Sequence, residues 1–162
     1  MRDLTRHFVS IACALGLLAL APAASLAQNM GDADTREISA YKLTEAGLGK
    51  YRQATRNLKG LPIEDCDEGS DDDSDVKTLS EAVARMDSAP GAKAAVQAGG
   101  MTTHEYVVFT FSLMQNGLAA WALEQPGGKL PPGVAQANVD FFRAHAADME
   151  KMGNEPDDGT CE

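Results

Sequence analysis

The sequence predicts an all-α protein, a compact antiparallel four-helix bundle with a broken second helix and an acidic loop. Three observations carry that expectation. The eighteen residues from Tyr106 to Leu123 carry no charge, so they read as a central, buried helix. Apolar residues on either side recur three and four positions apart, and no segment alternates as a strand would. Helix-capping residues stand in front of the apolar runs, and Gly or Pro follows them.

The first element is a signal peptide, residues 1–27. Arg2 and Arg6 supply a basic start, Phe8 to Leu20 an apolar run, and Ser25-Leu26-Ala27 a cleavage site with small residues at the two positions that are read. A run of thirteen is shorter than the roughly 20 residues needed to span a bilayer. The mature chain is therefore expected to start at Gln28, in the periplasm or outside the cell. Its 135 residues suffice for one domain, residues 28–162.

Gln28 to Lys42 has little pattern and reads as an extended or mobile lead-in. Thr44 is placed as an N-cap, with Leu43 and Leu48 as a hydrophobic staple around it. Leu48, Tyr51, Thr55 and Leu58 then share a face until Gly60, beside a basic stripe of Arg52, Arg56 and Lys59. Residues 61–77 form the acidic loop. Thr78 and Glu81 make a capping box for a helix carrying Leu79, Val83 and Met86, and Pro90 breaks it. A short Ala-rich helix follows and stops at Gly99-Gly100.

Thr102 and Glu105, with Met101 and Tyr106 outside them, start the central helix, predicted over Thr103 to Glu124. Val107, Phe111, Met114, Leu118 and Trp121 read as its main apolar stripe, with Ser112, Gln115, Asn116 and Ala119 toward another side. A membrane span would bring Gln115, Asn116 and Gly117 to mid-bilayer, which is costly, so a core helix is expected. Gly117 costs about 1 kcal/mol relative to Ala in a helix interior, which predicts a second helix crossing close to it. The last helix is predicted over Gly133 to Met152, with Val134, Phe141, His145, Met149 and Met152 on one face. Residues 153–162 form an acidic tail.

Charge narrows the partners. The whole chain holds 14 bases and 24 acids; without the signal, 12 and 23 remain, a net of −11. Eight acids lie in Glu64 to Asp75 and four in Glu155 to Glu162. Such a chain lacks the basic surface that nucleic acid or anionic lipid requires, so neither is expected, nor is stable membrane insertion after signal cleavage. A cationic or a small-molecule partner is compatible. Cys66 and Cys161, one in each acidic segment, are expected to form a disulfide in an oxidising compartment; two free thiols are the alternative. Closing a loop of about 95 residues is worth on the order of 4–5 kcal/mol.

The chain resembles a group of small exported bacterial all-helical proteins of unknown function, through Gly100-Met-Thr-Thr-His-Glu-Tyr-Val-Val-Phe-Thr110 and Asn138-Val-Asp-Phe-Phe-Arg-Ala-His145. The resemblance covers the C-terminal half and implies no activity.

Candidate chemistry falls in three places. Asn138, His145 and Asp148 read as a buried polar cluster facing the central helix; His145 and Asp148 are three apart and so are helix neighbours. A Ser112-His145-Asp148 triad lacks a nucleophile elbow and a favourable direction for Ser112. No Cys-x-x-Cys-His is present for covalent haem, which leaves only Met114 with His145 as b-type ligands. In the acidic loop Asp71, Asp73 and Asp75 match the start of a calcium loop, but Val76 replaces its Gly and Ala82 its Glu. A looser Ca2+ site could add Asp157 and Asp158 across the disulfide, against a solvated loop as the default. No cofactor is otherwise expected. The leading expectation is a non-enzymatic binding or structural module. A divalent-cation module using the acidic loop comes second, and an enzyme using His145 third.

Overall fold

In the computed structural model, residues 30–61 and 76–154 are described, and all regular structure among them is helical. Six helices follow in order: α1 (Asp32–Ala40), α2 (Glu45–Lys59), α3 (Leu79–Ser88), α4 (Ala92–Ala98), α5 (Thr103–Glu124) and α6 (Gln136–Asn154). The expected signal segment, most of the acidic loop and the end of the tail lie outside the described residues.

Local chemistry sets most of these boundaries. Thr44 caps α2 by accepting from the Gly47 amide, and the flanking Leu43 and Leu48 are both buried. Thr78 and Glu81 form both bonds of a capping box on α3. Thr102 accepts from the Glu105 amide at the start of α5, between buried Met101 and Tyr106. Ala89 has extended backbone and Gly91 a positive φ of 75°, so the chain turns at Pro90 and α4 leaves in a new direction.

Two boundaries differ from the sequence reading. The expected lead-in contains α1, whose lone buried residue is Ile38; one buried position in nine gives too little periodicity to announce a helix. The last helix begins at Gln136 rather than Gly133, because a turn from Pro131 to Val134, with Gly133 at φ 82°, precedes it.

α5 is the spine. Its Tyr106, Phe109 and Leu113 join Leu43, Leu48, Ala54, Val96 and Met101 in one cluster, which lies against α2 and α4. Val107 and Val108 pack with Ile38 of α1 and Leu79 of α3. Ala119 and Ala120 pack with Val134 and with Val139 of α6. Phe109 and Leu48 are among the side chains most completely removed from water, each worth about 1.5–3 kcal/mol. α5 is long and apolar enough to cross a membrane, but half of that apolar window is buried inside the protein.

The buried face of α5 is not the stripe that spacing suggests. Ser112, Asn116 and Ala119 are buried, whereas Met114, Leu118 and Trp121 are 42%, 38% and 52% exposed. A helix apolar nearly all round gives its neighbours several faces to choose from. The small and hydrogen-bonding residues were chosen because they allow close approach and pair with backbone. Gly117 faces Phe142 as its cost implied: a Cβ there would lie 2.8 Å from the Phe142 ring.

Gly99 is the tightest contact between helices that the sequence does not announce. A Cβ at Gly99 would sit 2.5 Å from the backbone nitrogen of Ala54, so α4 and α2 touch main chain to main chain. Gly99→Ala is expected to cost about 2–3 kcal/mol in urea unfolding, as overpacking against backbone does. Gly49→Ala, with open space around it in α2, should stabilise by up to about 1 kcal/mol in the same measurement.

Candidate functional site

The polar residues singled out on α6 pair with the 41–44 linker and α2, rather than with α5. Asn138, 5% exposed, donates from Nδ2 to the Tyr41 carbonyl at 2.7 Å and accepts on Oδ1 from the Leu43 amide at 3.1 Å. The linker from Tyr41 to Thr44 is extended at its ends and turns Leu43 inward, so the Tyr41 carbonyl and the Leu43 amide need partners outside the helices they join. One carboxamide supplies both a donor and an acceptor to it. Ser112 does the same service for α1, donating to the Ile38 carbonyl at 2.9 Å. Gln115 adds a bond to Ser39 at 3.0 Å. Asn116 donates to the Ser112 carbonyl, and its Oδ1 is buried without a protein partner among the described residues.

His145 lies about two turns further along α6 from Asn138, packed on Phe141 with ring centroids 4.3 Å apart. Its Nε2 is 2.8 Å from Glu45 at the start of α2, and its Nδ1 is 3.8 Å from Asp148. Asp148 in turn accepts from Arg52 of α2, and that bond holds its carboxyl below the usual range. The charged chain Glu45–His145–Asp148–Arg52 therefore ties α6 to α2 through side chains, while α6 itself packs on α5. Lys59 extends the seam, donating to the Met152 carbonyl at 3.0 Å.

This placement corrects one expectation and agrees with the case made against the triad. Asn138, His145 and Asp148 are not one cluster turned toward the central helix, because the extended linker and the basic face of α2 offer them better partners. Ser112 and His145 are engaged with different elements, α1 and α2, so the candidate triad is not assembled.

Between α2, α5 and α6 the packing leaves an open groove of about 680 Å³. Tyr51, Thr55 and Lys59 of α2 line one wall, Leu113, Met114, Gly117 and Leu118 of α5 another, and Phe142, Met149 and Met152 of α6 the third. Tyr51, one of its lining residues, is backed by two aromatic rings, Tyr106 at 4.9 Å and Phe109 at 4.8 Å. The hydroxyls of the lining residues Thr55 and Tyr51 have partners within the protein, Tyr106 at 3.2 Å and Thr110 at 3.4 Å. Burial, with Tyr51 beside it, pushes the Tyr106 phenol up to about 12, so it stays protonated. The sequence carries a faint signal of the groove in the stripe Met114-Leu118, which has core spacing but no partner helix. Met114 lines this groove and His145 does not, so the two are not presented together to a haem.

Cys66, Cys161, Asp71, Asp73, Asp75, Asp157 and Asp158 lie outside the described residues. Among the described residues no group of three or more His, Cys, Asp or Glu could hold a metal ion. Comparison with protein-family models, with curated proteins and with solved structures returns no match to the chain.

Asn138→Leu, close in volume, would leave a buried amide and a buried carbonyl unpaired, and an unfolding free energy lower by about 2–4 kcal/mol is expected. Asp148 makes a pH-dependent contribution. Its carboxyl is lowered in the fold from an ordinary value of 3.8, so the stabilisation is present above that value and is lost as pH falls through the folded one. Urea midpoints of wild type and Asp148→Asn should differ at neutral pH and converge below it. Midpoints that stay equally far apart in acid would show that Asp148 acts through packing instead.

Proposed function

We propose that the chain is an exported, non-enzymatic helical-bundle module that binds an apolar small molecule in the groove between α2, α5 and α6. In this reading the six helices close as four layers, α3 and α4 together making a second layer broken at Pro90, with α1 as an added flank. Export follows from residues 1–27, and the Cys66–Cys161 bond from the oxidising compartment.

The observation that carries the reading is the groove itself. Its volume lies within the range of small-molecule sites, about 300–1,000 Å³, and its walls are mostly apolar with few polar groups. Met114 and Leu118 stand exposed on its rim, although burying either would stabilise the fold by about 1.5–3 kcal/mol. Exposed apolar side chains gathered around one concavity are the usual mark of a binding surface. Three methionines among the lining residues give walls that adapt to a guest's shape.

Native mass spectrometry of the protein purified from the periplasm tests the reading. The expected species starts at Gln28, is lighter than the reduced chain by two hydrogens, and retains or takes up a neutral apolar probe such as Nile red. Leu118→Glu, at an already exposed position, should abolish probe uptake and leave the melting temperature unchanged. A wild-type protein that comes out bare and gives no Nile red signal would falsify it.

A further inference from the structure

Sulfur is concentrated where the protein is open. Three of the chain's seven methionines line the groove, Met114 from α5 and Met149 and Met152 from α6, so two of its walls carry thioethers. Met114 is 42% exposed, Met149 and Met152 are half-buried, and Met101 in the core is 4% exposed. Resting on the ligand-binding reading above, we propose that Met114 is a reversible oxidation site. A peroxide converts its thioether to a sulfoxide, and the groove then rejects its apolar guest.

The reaction needs no other group from the protein. A lone pair on Met114 Sδ attacks one oxygen of hydrogen peroxide, the S–O bond forms as the O–O bond breaks, and the second oxygen leaves as water with both protons. Sulfur is oxidised by two electrons and the peroxide is reduced by two. Access therefore decides which methionine reacts first. The oxidant is small and uncharged, so neither the formal net charge of −10 nor Lys59 at the groove hinders its approach. An exported chain meets such oxidants outside the reducing interior of the cell.

Met114 joins none of the three core clusters among the described residues, whereas Met149 and Met152 pack against the cluster around Phe109. Oxidation of Met114 therefore alters the groove wall and leaves the fold standing. A sulfoxide oxygen is a strong acceptor, but the hydroxyls of Thr55 and Tyr51 are paired with Tyr106 and Thr110, and Lys59 is bonded to the Met152 carbonyl. The new oxygen keeps its water instead. Held in the groove, it sets that water against the guest; swung outward, it removes an apolar wall. Either way the guest loses a contact that the thioether provides.

Hydrogen peroxide treatment of the full mature protein, followed by peptide mapping and Nile red titration, tests the assignment. Met114 is expected to gain oxygen at least about tenfold faster than Met101. Saturating Nile red should protect Met114 but not Met86, which is half-buried away from the groove. Protein oxidised at Met114 should bind Nile red about tenfold more weakly with its melting temperature unchanged. Methionine sulfoxide reductases of both epimer specificities should restore the affinity. Met114→Leu should take up Nile red as the untreated wild type does and keep its affinity through the same treatment. Three results overturn the oxidation site and leave the groove reading standing: Met114 reacting no faster than Met101, oxidised wild type binding as tightly as before, or Met114→Leu losing affinity to peroxide as the wild type does. A wild type that takes up no Nile red before treatment overturns both.

Discussion

An extended stretch of backbone inside a helical protein is the constraint on which this fold turns. The linker between α1 and α2 turns Leu43 inward between exposed Lys42 and Thr44, and the peptide groups carried in with it must find partners or cost a few kcal/mol each. Asn138 answers both sides of that linker with one carboxamide. Because Asn138 sits on α6, the answer also brings the last helix back to the first connection, across 97 residues of sequence. Ser112 repeats the device from α5, gripping the end of α1. Two short polar side chains thus hold α1, α5, α6 and the start of α2 in one register.

With α6 held at its beginning by Asn138 and packed on α5, its remaining length is tied to α2 by a different chemistry. His145, Asp148 and the Met152 carbonyl meet Glu45, Arg52 and Lys59 in order, so long side chains bridge the gap between the two helices. Exposed ion pairs of this kind contribute little each, and their value lies in setting the angle and separation of the helices. That separation is what leaves α5 incompletely covered. The groove is the space between a helix seam fastened by charges and a spine packed by apolar contacts. Its polar end, at Lys59, is the last member of the same seam. Architecture and candidate binding site are one arrangement.

The sequence made parts of this visible residue by residue. Capping at Thr44, Thr78 and Thr102 is local chemistry, decided within four residues, and it located the helix starts well. The pairing of Leu43 with Leu48 and of Met101 with Tyr106 around those caps was equally local. Gly117 announced a crossing helix through its own conformational cost, and Phe142 supplies it. The direction in which α5 buries itself was not visible, because nearly every face of that helix is apolar and periodicity has no contrast to report. α1 was hidden for the opposite reason, its sequence being polar with Ile38 alone committed to the core. The partners of Asn138 and His145 were hidden too, since hydrogen bonding says what a side chain needs and not which element will provide it.

By itself, then, the sequence determined that the described chain is helical, where most helices begin, and that Tyr106 to Leu123 would be its centre. Those outcomes depend on interactions between residues three or four apart, which the chain carries wherever it goes. Only the tertiary structure decided which side of the central helix faces inward, that α6 serves the first linker and α2, and that Met114 and Leu118 stay uncovered beside Lys59. These depend on the relative placement of segments about 40 to 100 residues apart. Closing such distances is a collective choice among packings of similar apolar content, and it is settled by which buried backbone groups can be satisfied.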